Sequence, residues 1–439
     1  MTSEQSLAAF VAELTTDSIP DSIRDRAGLT IADTIGAIVG GSTDPAVRSL
    51  SELWGERTSG TATVLGTDGI ETAPQLAAFC NGAAGTVLEL DEGHRFAAGH
   101  PAVHVLPALL AEAETKYGNG DAFLRSFVAG YEVAVRTACA MARLCDGYHP
   151  HGVWGAVGGA AAVARHRELD PAGVRTAMAI AANYAQHTRF EAATEGATVR
   201  NGYAGMSNLA AIVAVDQAEA GFTGLQNGIQ RHLGLASDDF DPDVLTDGLG
   251  ERWELERGYF KRHAACRYTH AVLDAIESLS GTFPIEDVDS VRVETYPAAA
   301  RLDEPRPKNT LQAKFSVPFA VATALRSGTT GPDAFDRDAI TPEAMALAER
   351  VSVEVSNEFA ARIPEKRGAR VTVETATETF EETTLAAKGG EHEPFSEAQL
   401  AEKFRELTTP IVGADRTEAL WTSAREVDSP RVICTLARR

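Results

Sequence analysis

From residue 5 to about 235, apolar residues recur every three or four positions, the period of a helix that buries one face. In the stretch 121–144, Phe123, Phe127, Val128, Tyr131 and Val135 form one stripe, and Asp121 follows the turn Asn119-Gly120 as a cap. Asp170-Pro171 is an N-cap followed by proline at the first helical position, and it opens a helix through AGVRTAMAIAANYAQH. A further helix covers about 204–220 and stops at Gly221. The small residues of GAVGGAAAVA, 155–164, allow close helix packing, so this part reads as a compact bundle.

After about 260 the period shortens. SVRVETYP (290–297), VSVEVS (351–356) and the run 370–388 alternate β-branched with polar residues, as half-buried strands do. Helices at about 268–280, 316–327 and 341–350 intervene, and 387–395 reads as a loop before a helix at 396–407. The predicted class is mainly α. A large all-helical domain (1–258) precedes a smaller α+β domain (259–394) and a C-terminal segment (395–439) whose docking the period leaves open.

Composition narrows the function classes. The 439 residues carry 62 acids against 40 Lys and Arg, a formal charge of -22, so the basic footprint that nucleic acid or anionic membrane requires is missing. Neither is an expected partner. Cys80, Cys139, Cys145, Cys266 and Cys434 are odd in number and lack CxxC spacing, which points to a reducing, cytoplasmic setting rather than a disulfide framework. The start, MTSEQSLAAFVAEL, has no basic leader, and no run of 18 apolar residues occurs.

Chemistry-bearing residues concentrate in four short segments. LELDEGHRFAAGHPAVH (88–104) holds Glu89, Asp91, Glu92, His94, Arg95, His100 and His104; YHPHGVWG (148–155) holds His149 and His151. EGATVRNGYAG (195–205) adds Arg200, and FKRHAACRYTH (260–270) adds Lys261, Arg262, His263, Arg267, Tyr268 and His270. Most of the histidines fall in three of these segments. A single histidine is more often a hydrogen-bonded structural residue than a catalyst, but His100 and His149 each precede proline and lead into small-residue helices, which raises their standing. Convergence of Asp91, His94 and His100 on a metal is conceivable, yet no HExxH-like spacing supports it and no metal is expected. GxSxG, GxxxxGK[ST] and strand-borne GxGxxG motifs are absent, which sets aside hydrolase, kinase and Rossmann oxidoreductase readings. What remains is proton transfer by imidazole and carboxylate, with Arg and Lys holding substrate carboxylates.

Four motifs in order resemble the MmgE/PrpD family: GHPAVHVLPALLAEAE (99–114), YHPHGVWGAVGGAAAVA (148–164), KRHAACRYTHAVLDAI (261–276) and LQAKFSVPFAVATAL (311–325). The resemblance implies a helical domain, a smaller α+β lid, a C-terminal segment returning to the helical domain, and a homodimer that needs no cofactor. It implies activity on small polycarboxylates: 2-methylcitrate dehydration, cis-aconitate decarboxylation or iminodisuccinate epimerisation. By this likeness the acid cluster falls on Glu89, Asp91 and Glu92, the moving protons on His100 and His149 with Asp91 orienting or sharing, and carboxylate binding on Lys261, helped by Arg200, Arg95, Arg267 and Glu89. Departures also count. The family's threonine after the acid pair is Gly93, a histidine of the third motif is Cys266, and a tyrosine of the fourth is Phe319. The expected activity is a 2-methylcitrate-type dehydratase; the alternative is an epimerase or isomerase, which needs no leaving-group acid and which two acids fewer would favour.

Overall fold

The computed structural model describes residues 1–115 and 119–439, and the class is mainly α with a smaller α+β part, as the hydrophobic pattern predicts. The first body is built on α1 (Ser3–Glu13), α2 (Asp21–Gly41), α3 (Pro74–Val87), α4 (Pro101–Thr115), α5 (Gly120–Ala140), α6 (Gly155–His166), α7 (Pro171–Asn183) and α8 (Tyr203–Glu219). The whole α5 stripe, Phe123 to Val135, is buried. The helix predicted to 144 ends at Ala140 instead, because the chain turns left-handed at Ala142 (φ 49°). Asp170 caps α7 by accepting from the Gly173 N–H at 2.7 Å. That helix stops at Asn183, short of the predicted His187, because the next residues pair with another loop: Gln186 N–H donates to the Gly152 carbonyl at 3.1 Å. This exchange of helix for loop pairing brings the 148–152 segment into place.

The second body holds α9 (His270–Leu279), α10 (Val317–Ser327), α11 (Pro342–Ala348) and a four-stranded sheet of β1 (Val288–Thr295), β2 (Val351–Val355), β3 (Ala369–Thr375) and β4 (Thr379–Thr384). The order is β2-β1-β3-β4, with β1 and β2 parallel and the other pairs antiparallel. The run 370–388 thus resolves into two strands, closed by the Thr375 N–H bonding to the Glu378 carbonyl at 2.9 Å. Val291, Val293, Val371 and Val373 make the buried face. On β4 every side chain is at least partly exposed and two are Glu381 and Glu382, which blunts the open edge against further pairing.

The tail forms α12 (Glu397–Val412), α13 (Ala414–Arg425) and α14 (Pro430–Leu436). Phe404, Leu420 and Ile433 are buried in the same apolar cluster as α1 to α8, so these helices lie on the first body. Glycines in α2 permit the approach: a Cβ on Gly28 would lie 2.1 Å from the Arg425 carbonyl oxygen, and one on Gly41 1.9 Å from that of Ala84 on α3. Backbone cannot yield as a flexible side chain can. Gly41→Ala is therefore expected to lower stability by about 1–3 kcal/mol, although alanine is better by up to about 1 kcal/mol in helix propensity. A denaturant midpoint equal to or above that of the parent chain would show that propensity wins. Among the described residues no helix is long and apolar enough to cross a membrane.

Candidate active site

The loop between α3 and α4 is fixed from its base. Two cations cap the C-terminal end of α3, where carbonyls lack helical partners: Lys314 Nζ donates to the Val87 carbonyl at 2.9 Å and Arg200 Nη1 to that of Thr86 at 3.3 Å. Glu89 then turns left-handed (φ 55°) and aims a buried carboxylate at Arg200 and at Lys261 Nζ, 3.2 Å away. Such a conformation in a non-glycine residue costs of order 1–3 kcal/mol; the double ion pair offsets it. Lys261 also reaches Asp91 at 3.3 Å. A short antiparallel ladder, Gly93 to Tyr259 and His94 to Gly258, ties this loop to the segment that carries Lys261.

Above these pairs opens a narrow cleft. Glu89, His100, His149 and Arg200 line it from the first body, facing Cys266, Arg267 and Tyr268 from the second. The two histidines hold opposite tautomers. His100 Nδ1 is 2.7 Å from the Glu92 carbonyl and 3.2 Å from Asp91 Oδ2. A carbonyl only accepts, so Nδ1 carries the hydrogen and Nε2 keeps a lone pair. His149 is the reverse. Its Nδ1 accepts from the His151 backbone N–H at 3.1 Å, so Nε2 carries the hydrogen, and its ring stacks on Phe190 at 5.4 Å. One imidazole offers a lone pair and the other offers a proton.

The remaining sequence candidates divide. Asp91 and Lys261 stand directly behind the cleft and hold His100 and Glu89. Arg95 does not enter it. The turn closed by the His94 N–H and the Gly99 carbonyl points Arg95 outward, where it bonds the Glu365 carbonyl and lies 3.4 Å from Glu391. Glu92 faces away, accepting from the Ala102 N–H at 3.1 Å and meeting Tyr131 Oη at 2.5 Å. His94 pairs with Glu254 at 3.5 Å, and His263 with Asp274 at 3.1 Å. Both serve structure. The fourth-motif position at the cleft is Phe315; Phe319 is buried in an apolar cluster with Phe335, so the expected tyrosine equivalence carries no proton chemistry here.

Asp91, His94 and His100 do not converge, since Glu254 takes His94. Asp91, His100 and His151 do: their ligand-capable atoms lie within 4.8 Å of one another. A divalent ion there would compete with Lys261 for Asp91 and sit beside two buried cations, a poor electrostatic fit. Missed in the sequence were Tyr259, Phe190, Phe315 and Arg367, which also line the cleft. Arg367 sits in a loop before β3 with no flanking motif, and only the fold brings it in.

Two domain profiles cover this architecture: the MmgE/PrpD N-terminal domain matches residues 5–243, and the MmgE/PrpD C-terminal domain matches residues 263–428. The chain belongs to the MmgE/PrpD family. Among curated proteins, this MmgE/PrpD chain is similar to a cis-aconitate decarboxylase-like protein, oryM, of Aspergillus oryzae, at 26% identity covering 96% of this chain and 94% of that protein. It is similar to cis-aconitate decarboxylases of Aspergillus terreus (25%; 94% of this chain, 90% of that protein) and Homo sapiens (27%; 95% and 90%).

Burial sets the charge states in this MmgE/PrpD site. It drives His100 and His149 below the ordinary histidine value, with Lys261 or Arg200 adding to it and Asp91 opposing it at His100, so both are neutral at pH 7. Burial alone would raise Glu89, but Arg200 and Lys261 outweigh it and hold the carboxylate at about 2. Burial lifts the Cys266 thiol to about 11, which leaves it protonated rather than nucleophilic.

His104 and His151 are buried with neither ring nitrogen hydrogen-bonded among the described residues, and burial pushes His104 down to about 3. An unfolded histidine protonates near 6.5, so below that pH the unfolded chain takes a proton that folded His104 refuses, and stability falls by up to about 1.4 kcal/mol per pH unit. Above 6.5 this contribution is complete. His94, His100, His149, His151 and His270 shift in the same direction. Glu92 and Glu132, raised by burial to about 8 and about 7, act oppositely, as do the buried Asp33 and Glu4, their stabilisation being lost as pH rises above the unfolded carboxylate value. With the histidines in the majority, the melting temperature in thermal denaturation is expected to fall between pH 7 and pH 5. A rise across that interval would contradict the neutral, buried assignment.

Proposed function

We propose that the protein is a lyase that breaks a C–H bond beside a carboxylate of a small polycarboxylate. The carrying observation is the pair of opposite tautomers in one cleft, His100 with a free Nε2 lone pair and His149 with an Nε2 hydrogen. Proton removal by a neutral imidazole leaves a carbanion stabilised by its own carboxylate, whose growing charge meets nearby guanidinium groups. For a hydroxy acid, the electron pair of the broken C–H bond becomes the C=C bond, the C–O bond breaks, and His149 protonates the departing hydroxide as water. The base and acid count favours this 2-methylcitrate-type dehydration. A second reading is decarboxylation, favoured by the names of the similar proteins. There His149 would protonate carbon as carbon dioxide leaves.

Incubation of the chain with 2-methylcitrate or with cis-aconitate in deuterated water, followed by NMR, separates the readings. New alkene from the hydroxy acid without gas supports dehydration, and carbon dioxide with deuterium on carbon supports decarboxylation. Solvent exchange with no bond lost would mean an epimerase or isomerase. No change in any polycarboxylate offered would overturn the lyase reading.

A further inference from the structure

The inner cations of the cleft are already neutralised: Arg200 pairs with Glu89, and Lys261 is shared between Glu89 and Asp91. These two cations are matched by two carboxylates, and the buried Lys314 beside Glu89 is spent on the Val87 carbonyl, so little of the inner positive charge is left to hold an anion. The next two arginines differ. Arg267 directs its donors to the Lys388 and Ala387 carbonyls at 2.9 and 3.0 Å and to His270 Nδ1 at 3.2 Å. Arg367 donates to the Arg95 carbonyl at 2.8 Å. Among the described residues neither has a carboxylate within ion-pair distance. Both are half-buried, and both line the cleft and the outer mouth that adjoins it.

Aromatic rings hold the two guanidinium groups at the cleft wall. Arg267 lies 4.3 Å over the Tyr259 ring and Arg367 5.6 Å from that of Tyr268. Stacking occupies the guanidinium face and not the edge, which is what a carboxylate recognises; carbonyls and His270 take part of that edge on Arg267, and on Arg367 the Arg95 carbonyl takes one donor. Half-buried cations without a counter-ion are costly to leave unmatched, and an incoming dianion would remove that cost. The other mouth arginines already have acids, Arg95 with Glu391 and Arg257 with Glu254 at 2.9 Å.

We infer that Arg267 and Arg367 form the carboxylate-binding subsite of this cleft, and that Arg367 takes a terminal carboxylate and so selects substrates with a second or third carboxylate. The inference rests on the polycarboxylate reading above, and it moves the binding role from Lys261 and Arg200 to two residues of the second body. Lys261 and Arg200 remain as the positioning cations of Glu89 and Asp91.

The test compares calorimetric binding of tricarballylate, an unreactive tricarboxylate, with that of its terminal monoamide, which has nearly the same shape and one charge fewer. The parent chain is expected to prefer tricarballylate by tenfold or more. In Arg367→Gln the preference should collapse to less than about threefold, and Arg367→Lys should restore part of it. A loss of packing alone would weaken both probes equally and leave the ratio unchanged, which would overturn the subsite. If neither probe binds the parent chain, the polycarboxylate reading itself falls and takes the subsite with it. Should Arg367→Gln fail to fold, phenylglyoxal modification of the parent chain decides: tricarballylate is expected to protect Arg367 and Arg267 but not Arg337, and an unprotected Arg367 would refute the assignment.

Discussion

Changing His100 to Asn is expected to lower kcat by about 10²–10⁴-fold, the usual contribution of a positioned general base, while melting temperature stays close to that of the parent chain. Asparagine is the informative choice because its amide N–H can still donate to the Glu92 carbonyl that His100 Nδ1 meets at 2.7 Å. Only the lone pair at Nε2 is lost. KM should move little, since the carboxylate-binding residues are untouched. His149→Asn removes the matching proton donor, and the double variant should be scarcely slower than either single one, because residues that act as a unit do not contribute additively. Turnover within about threefold of the parent for His100→Asn would rule His100 out as the base.

The largest stability effect is expected at Lys261. Its ammonium is fully buried and holds both Glu89 and Asp91, so Lys261→Met leaves Glu89 with Arg200 and Asp91 with only the neutral His100. Breaking a buried pair from one side costs about 3–5 kcal/mol. Denaturant unfolding measures it, and adding Glu89→Gln to Lys261→Met should recover part of the loss because the two residues are coupled. A change below about 1 kcal/mol would mean that water reaches the pair and screens it. Residual activity carries a second signature. Lys261 lowers the His100 pKa and Asp91 raises it, so without the lysine the base protonates at higher pH and the acidic limb of kcat moves up.

Much of the fold was legible because its signals are local. The α5 stripe, the Asp170-Pro171 start and the alternating strands each state their period within a few turns of chain, and each forms where the pattern places it. Boundaries were less legible. The helix after Asp170 ends early because Gln186 pairs with Gly152, a contact that no window around residue 186 contains. At the cleft, His100, His149, Arg200 and Lys261 stood out through clustering or motif likeness, and the fold does bring them close together. Roles were harder to read. Arg95 lies five residues from His100 yet faces out through a tight turn, while Arg367, far away in the chain, faces in. Nor could spacing show that Lys261 and Arg200 are matched by acids, because that balance is a property of the assembled loops.

Phe404, Leu420 and Ile433 complete an apolar cluster whose other members begin at Leu7. During translation these side chains leave the ribosome only after the strands and helices of the second body have emerged. The first body is therefore completed only after the second has been made, and until the tail docks, the face of α2 that it covers has no partner.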